Sequence, residues 1–98
     1  MKEVKYQADL IKTLKRMFPG CVIFKGNAAE TQGVPDLTIL YRHMWAMLEV
    51  KTSATAPQQP NQDYWVEHYD DMSYAAFIYP ENEKEVLDGL QRAFGLSG

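Results

Sequence analysis

The sequence predicts an α/β fold, a mixed sheet covered by helices, and three observations carry that prediction. Apolar residues recur four apart near both ends of the chain. Between those ends lie four short apolar runs of strand length, and a helix-like stretch separates the last two of them.

Residues 3–17 read as an amphipathic helix. Tyr6, Leu10, Leu14 and Phe18 form its apolar stripe, Ile11 and Met17 widen it, and Pro19-Gly20 ends it. Residues 21–24 (CVIF) form a short strand that Gly26-Asn27 breaks. A polar loop over 27–35 closes with Gly33-Val34-Pro35. Residues 36–41 (DLTILY) and 45–51 (WAMLEVK) are strands joined by a tight turn at Arg42-His43, which makes them a hairpin. After a loop over 52–59, Pro60 fits the first position of a second helix, where its missing N–H costs nothing. Trp65, Tyr69 and Met72 share one face of that helix. Residues 74–79 (YAAFIY) form a fourth strand, stopped by Pro80. Asn82 caps a last helix, with Glu85 completing a capping box and Val86, Leu90 and Phe94 as its buried stripe. The order is α-β-β-β-α-β-α.

Bulk properties narrow the function classes. The chain has 98 residues, 46% hydrophobic and 23% charged, which suits one domain spanning 1–98. A core this small makes burial against a second subunit plausible. No apolar run is long enough to span a membrane. The start has no signal-peptide organisation, and Cys21 is the single cysteine, so a cytoplasmic setting is expected. The net charge of −3 is unevenly spread. Residues 1–51 carry eight basic against five acidic residues, whereas residues 52–98 carry two against eight. The first half can therefore present a basic surface to an anionic partner.

The chemistry concentrates at one end of the hairpin. Glu49 and Lys51 alternate with Val50, so they share a strand face. Asp36 begins the neighbouring antiparallel strand, which brings it beside the end that holds Glu49. Either feature alone is more often a surface ion pair, but together they converge two carboxylates and an ammonium. Paired carboxylates repel unless a cation lies between them, and an all-oxygen set suits Mg²⁺ or Mn²⁺. Such an ion activates water and polarises a phosphoryl oxygen, with Lys51 placed to orient the nucleophile or stabilise phosphate charge. The pattern points to phosphodiester hydrolysis.

Gly33-Val34-Pro35-Asp36 followed by Glu49-Val50-Lys51 resembles the signature of the PD-(D/E)xK nucleases. The chain is most similar to their VRR-NUC branch in its stand-alone, phage-type form. Glu3 and Gln7 match that branch's first helix, Gly33 to Asp36 its Gly-x-x-Asp turn, and Gln62 in Pro60-Asn61-Gln62 the glutamine that opens its next helix. The resemblance covers about residues 3–79. Ile78-Tyr79-Pro80 stands where the branch carries Val-Arg-Arg, so the resemblance implies nothing about substrate contacts there.

The resemblance implies a restriction-endonuclease-like αβββαβ core with an extra C-terminal helix. It implies metal ligation by Asp36, Glu49, the Val50 carbonyl and Glu3, a catalytic Lys51, and Gln62 bracing the site or the scissile phosphate. It also implies a Mg²⁺-dependent DNA endonuclease acting on branched DNA such as a Holliday junction, as a homodimer. Two other readings stand beside it: a nicking or flap nuclease, and a catalytically silent module that binds DNA or a protein. Lys12, Lys15, Arg16 and Lys25 are candidate phosphate contacts, and Asn27 a candidate shaper of the substrate loop. His43 and His68 have no partner pattern. Trp45, Trp65, Tyr64, Tyr69 and Tyr74 are read as core or subunit surface.

Overall fold

Burial of a single helical stripe sets the first element. In the computed structural model, which describes residues 2–26, 33–58 and 60–96, α1 runs Glu3–Met17 and buries Tyr6, Leu10 and Leu14, with Phe18 at its C-cap also buried. Lys15 and Arg16 in its last turn and Glu3 in its first complement the helix dipole. The Cys21 N–H turns back to the Phe18 carbonyl at 3.0 Å. Cys21 is thereby withheld from the sheet, and β1 is Val22–Lys25, one residue later than the apolar run suggests.

The next two strands are β2, Leu37–Tyr41, and β3, Met44–Val50. They pair antiparallel with Leu37 opposite Leu48 and Tyr41 opposite Met44, across a turn in which Arg42 adopts φ 59°. Asp36 stands just outside β2 because its N–H is taken by a side chain of β3. β1 pairs antiparallel with β2. Helix α2 is Gln62–Met72. Pro60 is not its first residue: Asn61 takes a left-handed φ of 70°, which breaks the chain direction between Pro60 and the helix. Strand β4, Tyr74–Ile78, pairs parallel with β3, so among the described residues the sheet is four strands in the order β1-β2-β3-β4.

The last helix, α3, is Glu83–Ala93. Its expected capping box does not form, because the Asn82 side chain is used upstream. Asn82 Oδ1 accepts from Tyr79 N–H at 2.9 Å, and Nδ2 donates to the Phe77 carbonyl at 3.0 Å. Those two bonds also end β4 one residue short of the apolar run.

The sheet has unequal faces. Leu37, Ile39, Tyr41, Ala46, Leu48, Val50 and Ile78 pack against α1 and α3 in the main core. Phe18, Tyr41 and Phe94 meet there with ring centroids 5.3–5.4 Å apart. Each such large side chain contributes about 1.5–3 kcal/mol of burial. The other face meets α2 over β3 and β4. Val66 is the residue α2 buries. Trp65 and Tyr69 stack half-buried, and Met72 is exposed, so the face expected from Trp65, Tyr69 and Met72 is only partly covered. No helix among the described residues is long and apolar enough to cross a membrane.

Candidate active site

Two glycines shape the turn that delivers Asp36. The Gly26 N–H bonds the Asp36 carbonyl at 2.7 Å, and a Cβ on Gly26 would come within 2.2 Å of the Pro35 carbonyl oxygen. Gly33 has φ +89°, and a Cβ there would meet the Trp65 indole at 2.7 Å. The indole of α2 therefore lies flat against the start of Gly33-Val34-Pro35-Asp36.

Asp36 and Glu49 then lock the two strand ends reciprocally. Asp36 N–H donates to Glu49 Oε1 at 3.0 Å, and Val50 N–H donates to Asp36 Oδ2 at 2.9 Å. The Gln62 side-chain amide, in the first turn of α2, donates to Glu49 Oε2. Glu49 and Lys51 are 6% and 8% exposed, and they are the two buried charged side chains among the described residues. Burial pushes the Glu49 carboxyl up to about 8, helped by its hydrogen bond and charge repulsion with Asp36 and by Glu3, against the stabilising Asp36 N–H. Glu3 is likewise raised, by burial and then by Asp36.

Lys51 extends the β3–β4 ladder through its N–H to the Ile78 carbonyl at 2.9 Å. Its ammonium lies 3.5 Å from the Ala54 carbonyl, and 5.5 and 5.8 Å from the ring centroids of Phe77 and Tyr79. No carboxylate among the described residues forms an ion pair with it. An ammonium has three donors, so most of its hydrogen-bonding capacity is directed at no anion.

Glu3, Asp36, Glu49, Val50, Lys51 and Gln62 all line one cleft of about 610 Å³ at the end of the sheet, walled also by Trp65 and by Pro57 and Pro60. The structure thus assembles the expected chemical residues in one place. It does not bring every expected DNA contact there. Lys12, Lys15 and Arg16 are exposed on α1, more than two turns from Glu3 along the axis, and do not line the cleft. Lys25 is exposed at the end of β1 that adjoins Asp36. Asn27 lies outside the described residues.

Phe77, Tyr79 and Trp65 escaped sequence reasoning as parts of the site. Glu49 pairs with Phe77 in the β3–β4 register, so the parallel pairing that puts rings beneath Lys51 is tertiary information. His68 instead stacks on Tyr64 at 5.9 Å on the outer side of α2.

Among the described residues, no group of three or more His, Cys, Asp and Glu side chains is placed to hold a metal ion. The two adjoining carboxylates of Asp36 and Glu49 in an open cleft nevertheless suit Mg²⁺, since it binds through one or two carboxylates and keeps several waters. The Glu49 carboxyl, raised first by burial and then by Asp36, is a further mark of fit, because a cation between Asp36 and Glu49 would offset the lost hydration and the repulsion together. No protein-family model, curated protein or solved structure matches the chain.

Proposed function

We propose that this protein is a metal-dependent DNA endonuclease. One observation carries the reading. The two buried ionisable side chains among the described residues, Glu49 and Lys51, stand two apart at the end of β3, beside Asp36, in a single open cleft. Burying an ammonium without an ion pair, next to a carboxyl that burial drives toward its protonated form, costs stability, and such a cost is usually retained for a functional reason.

In this reading Asp36 and Glu49 hold Mg²⁺ or Mn²⁺, with the Val50 carbonyl and Glu3 as further oxygen donors. The bound ion supplies an activated water and a polarised phosphoryl oxygen. Lys51 neutralises the charge that grows on the phosphate as the phosphodiester breaks, its ammonium held by Phe77, Tyr79 and the Ala54 carbonyl. Gln62 fixes the Glu49 carboxylate through Oε2 and leaves that side chain one orientation. The likeness to the stand-alone VRR-NUC proteins extends the proposal to branched DNA, such as a four-way junction, cut by a homodimer.

Purified protein is tested on duplex, nicked, flap and four-way substrates. Cleavage with Mg²⁺ that stops in EDTA and in Lys51→Ala, with substrate binding kept, supports the assignment. Cutting by Lys51→Ala would sink it. A catalytically silent module is the second reading. It is favoured by the reciprocal clamp, in which one oxygen each of Asp36 and Glu49 is already committed to a backbone N–H. Calorimetric titration with Mn²⁺ separates the two, since a silent module shows no binding that depends on Asp36.

A further inference from the structure

Helix α1 buries one stripe and turns cations outward. Away from Tyr6, Leu10 and Leu14 it exposes Lys2 at its N-cap, then Lys5, Lys12, Lys15 and Arg16. The one acid on that face is Asp9, which Lys5 engages at 3.0 Å. Lys2, Lys12, Lys15 and Arg16 form no ion pair among the described residues. The helix dipole accounts for Lys15 and Arg16 in the last turn. It does not account for Lys2 and Lys5, which stand at the positive end, or for Lys12, which repels Lys15 at i+3 and Arg16 at i+4. A chain of net charge −3 thus gathers five cations against one acid on a single helix face, and such a field attracts a polyanion.

The surroundings of the cations decide which polyanion. A lipid surface takes a helix with an apolar flank to insert. The apolar stripe of α1 is buried in the core, which leaves only Val4 and Ala8 among the cations. From Lys5 to Arg16 the helix rises about 16 Å, the length of about five base pairs of duplex. The face suits a nucleic-acid backbone.

Placement decides how that backbone relates to the cleft. Ala46, Leu48 and Val50 face the core beneath α1, and Glu49 alternates to the opposite face, where Gln62 of α2 meets it. The cations of α1 and the Glu49 carboxylate are therefore directed to opposite sides of the sheet, in a molecule of 33 × 28 × 21 Å. Duplex DNA is stiff over about 150 base pairs, so one straight arm does not wrap from one side to the other. Two arms that diverge at a branch reach both.

We propose that the outer face of α1, through Lys5, Lys12, Lys15 and Arg16, seats a second duplex arm of a branched nucleic acid whose first arm occupies the cleft. This rests on the nuclease reading above and deepens it: the preference for branched over straight DNA comes from α1.

The test measures affinity against KCl concentration by anisotropy in Ca²⁺, for a labelled four-way junction and for a duplex of the same arm length. Each phosphate contact adds about 0.9 to the slope of log affinity on log salt. The wild-type protein is expected to show a junction slope steeper than the duplex slope by about 2–3. Lys12→Gln/Lys15→Gln/Arg16→Gln is expected to bring the two slopes together, and Lys12→Arg/Lys15→Arg to keep them apart. Lysine acetylation of the unmutated protein gives a reading that needs no variant to fold: bound junction should shield Lys12 and Lys15 and leave Lys84 on α3 reactive. Equal wild-type slopes, a slope difference that survives the triple variant, or Lys12 and Lys15 left unshielded overturns the proposal. Slopes that depend on α1 without Mg²⁺-dependent cleavage would fail the nuclease reading and leave the second site standing. Cleavage with slopes that ignore α1 would do the reverse.

Discussion

Asp36 and Glu49 hold each other's strands: the backbone N–H of Asp36 bonds the Glu49 carboxylate at 3.0 Å, and the Asp36 carboxylate bonds the N–H that follows Glu49 at 2.9 Å. The clamp fixes strand ends and concentrates negative charge in the same stroke. Its electrostatic cost is visible in the Glu49 carboxyl, raised to about 8 by burial and by Asp36.

That shift makes metal-free stability pH-dependent, with a definite sign. The ordinary Glu value is 4.5, so between 4.5 and about 8 the folded protein binds a proton that the unfolded chain has released. The contribution is fully present below 4.5 and is lost as pH rises through about 8. Urea unfolding in EDTA is expected to show a loss on the order of 2 kcal/mol between pH 5.5 and 8.5. Glu49→Gln, which keeps an acceptor for Asp36 N–H, should flatten that slope. A slope that persists in Glu49→Gln would assign it to other groups.

The same proton competes with a metal. Below about 8, binding of Mn²⁺ between Asp36 and Glu49 must displace it. The apparent Mn²⁺ affinity is expected to fall by up to about tenfold per pH unit from 8 toward 6, with one proton released per ion. Calorimetry in two buffers of different ionisation enthalpy measures that proton directly. Glu49→Gln should weaken binding and abolish the release. Affinity independent of pH would mean that Glu49 is not a ligand.

Much of this was legible in the sequence, and the limits have physical causes. The i+4 stripe of Tyr6, Leu10 and Leu14 fixed α1 to the residue, because one buried face dominates that helix. The hairpin alternation placed Asp36 beside Glu49, because strand periodicity and a two-residue turn leave one register. The errors fall where a local hydrogen bond competes. Asn82 has a cap's identity, yet its amide bonds Tyr79 and Phe77. Pro60 has a helix-start identity, yet Asn61 at φ 70° separates it from α2. The rings beneath Lys51 and the indole against Gly33 come from β4, the residue that follows it and α2, segments whose placement no local pattern encodes.

Gly33 tests how the turn is held. Its φ of +89° disfavours any side chain, and a Cβ would press into the Trp65 ring at 2.7 Å. Gly33→Ala is expected to cost about 1–3 kcal/mol in urea unfolding. Trp65→Leu removes the clash but not the backbone strain, so the Gly33→Ala penalty should shrink in that background without vanishing. A double-mutant cycle reads the difference, and strict additivity would show that the indole does not touch the turn.

Lys51 separates stability from chemistry. Its stem is buried and its ammonium rests over Phe77 and Tyr79 without an ion pair among the described residues. Lys51→Met keeps a long apolar side chain in that space and removes a buried charge, a replacement that is often neutral or stabilising. The variant is expected to unfold at the same or higher urea concentration as the wild type, by about 0–2 kcal/mol. Its cleavage of a four-way junction in Mg²⁺ should fall by about 10²-fold or more, the scale on which loss of one charge-stabilising donor acts. Mn²⁺ binding should persist, since Asp36 and Glu49 are untouched. A stability loss together with retained cleavage would make Lys51 a packing residue and remove the ammonium from the proposed chemistry.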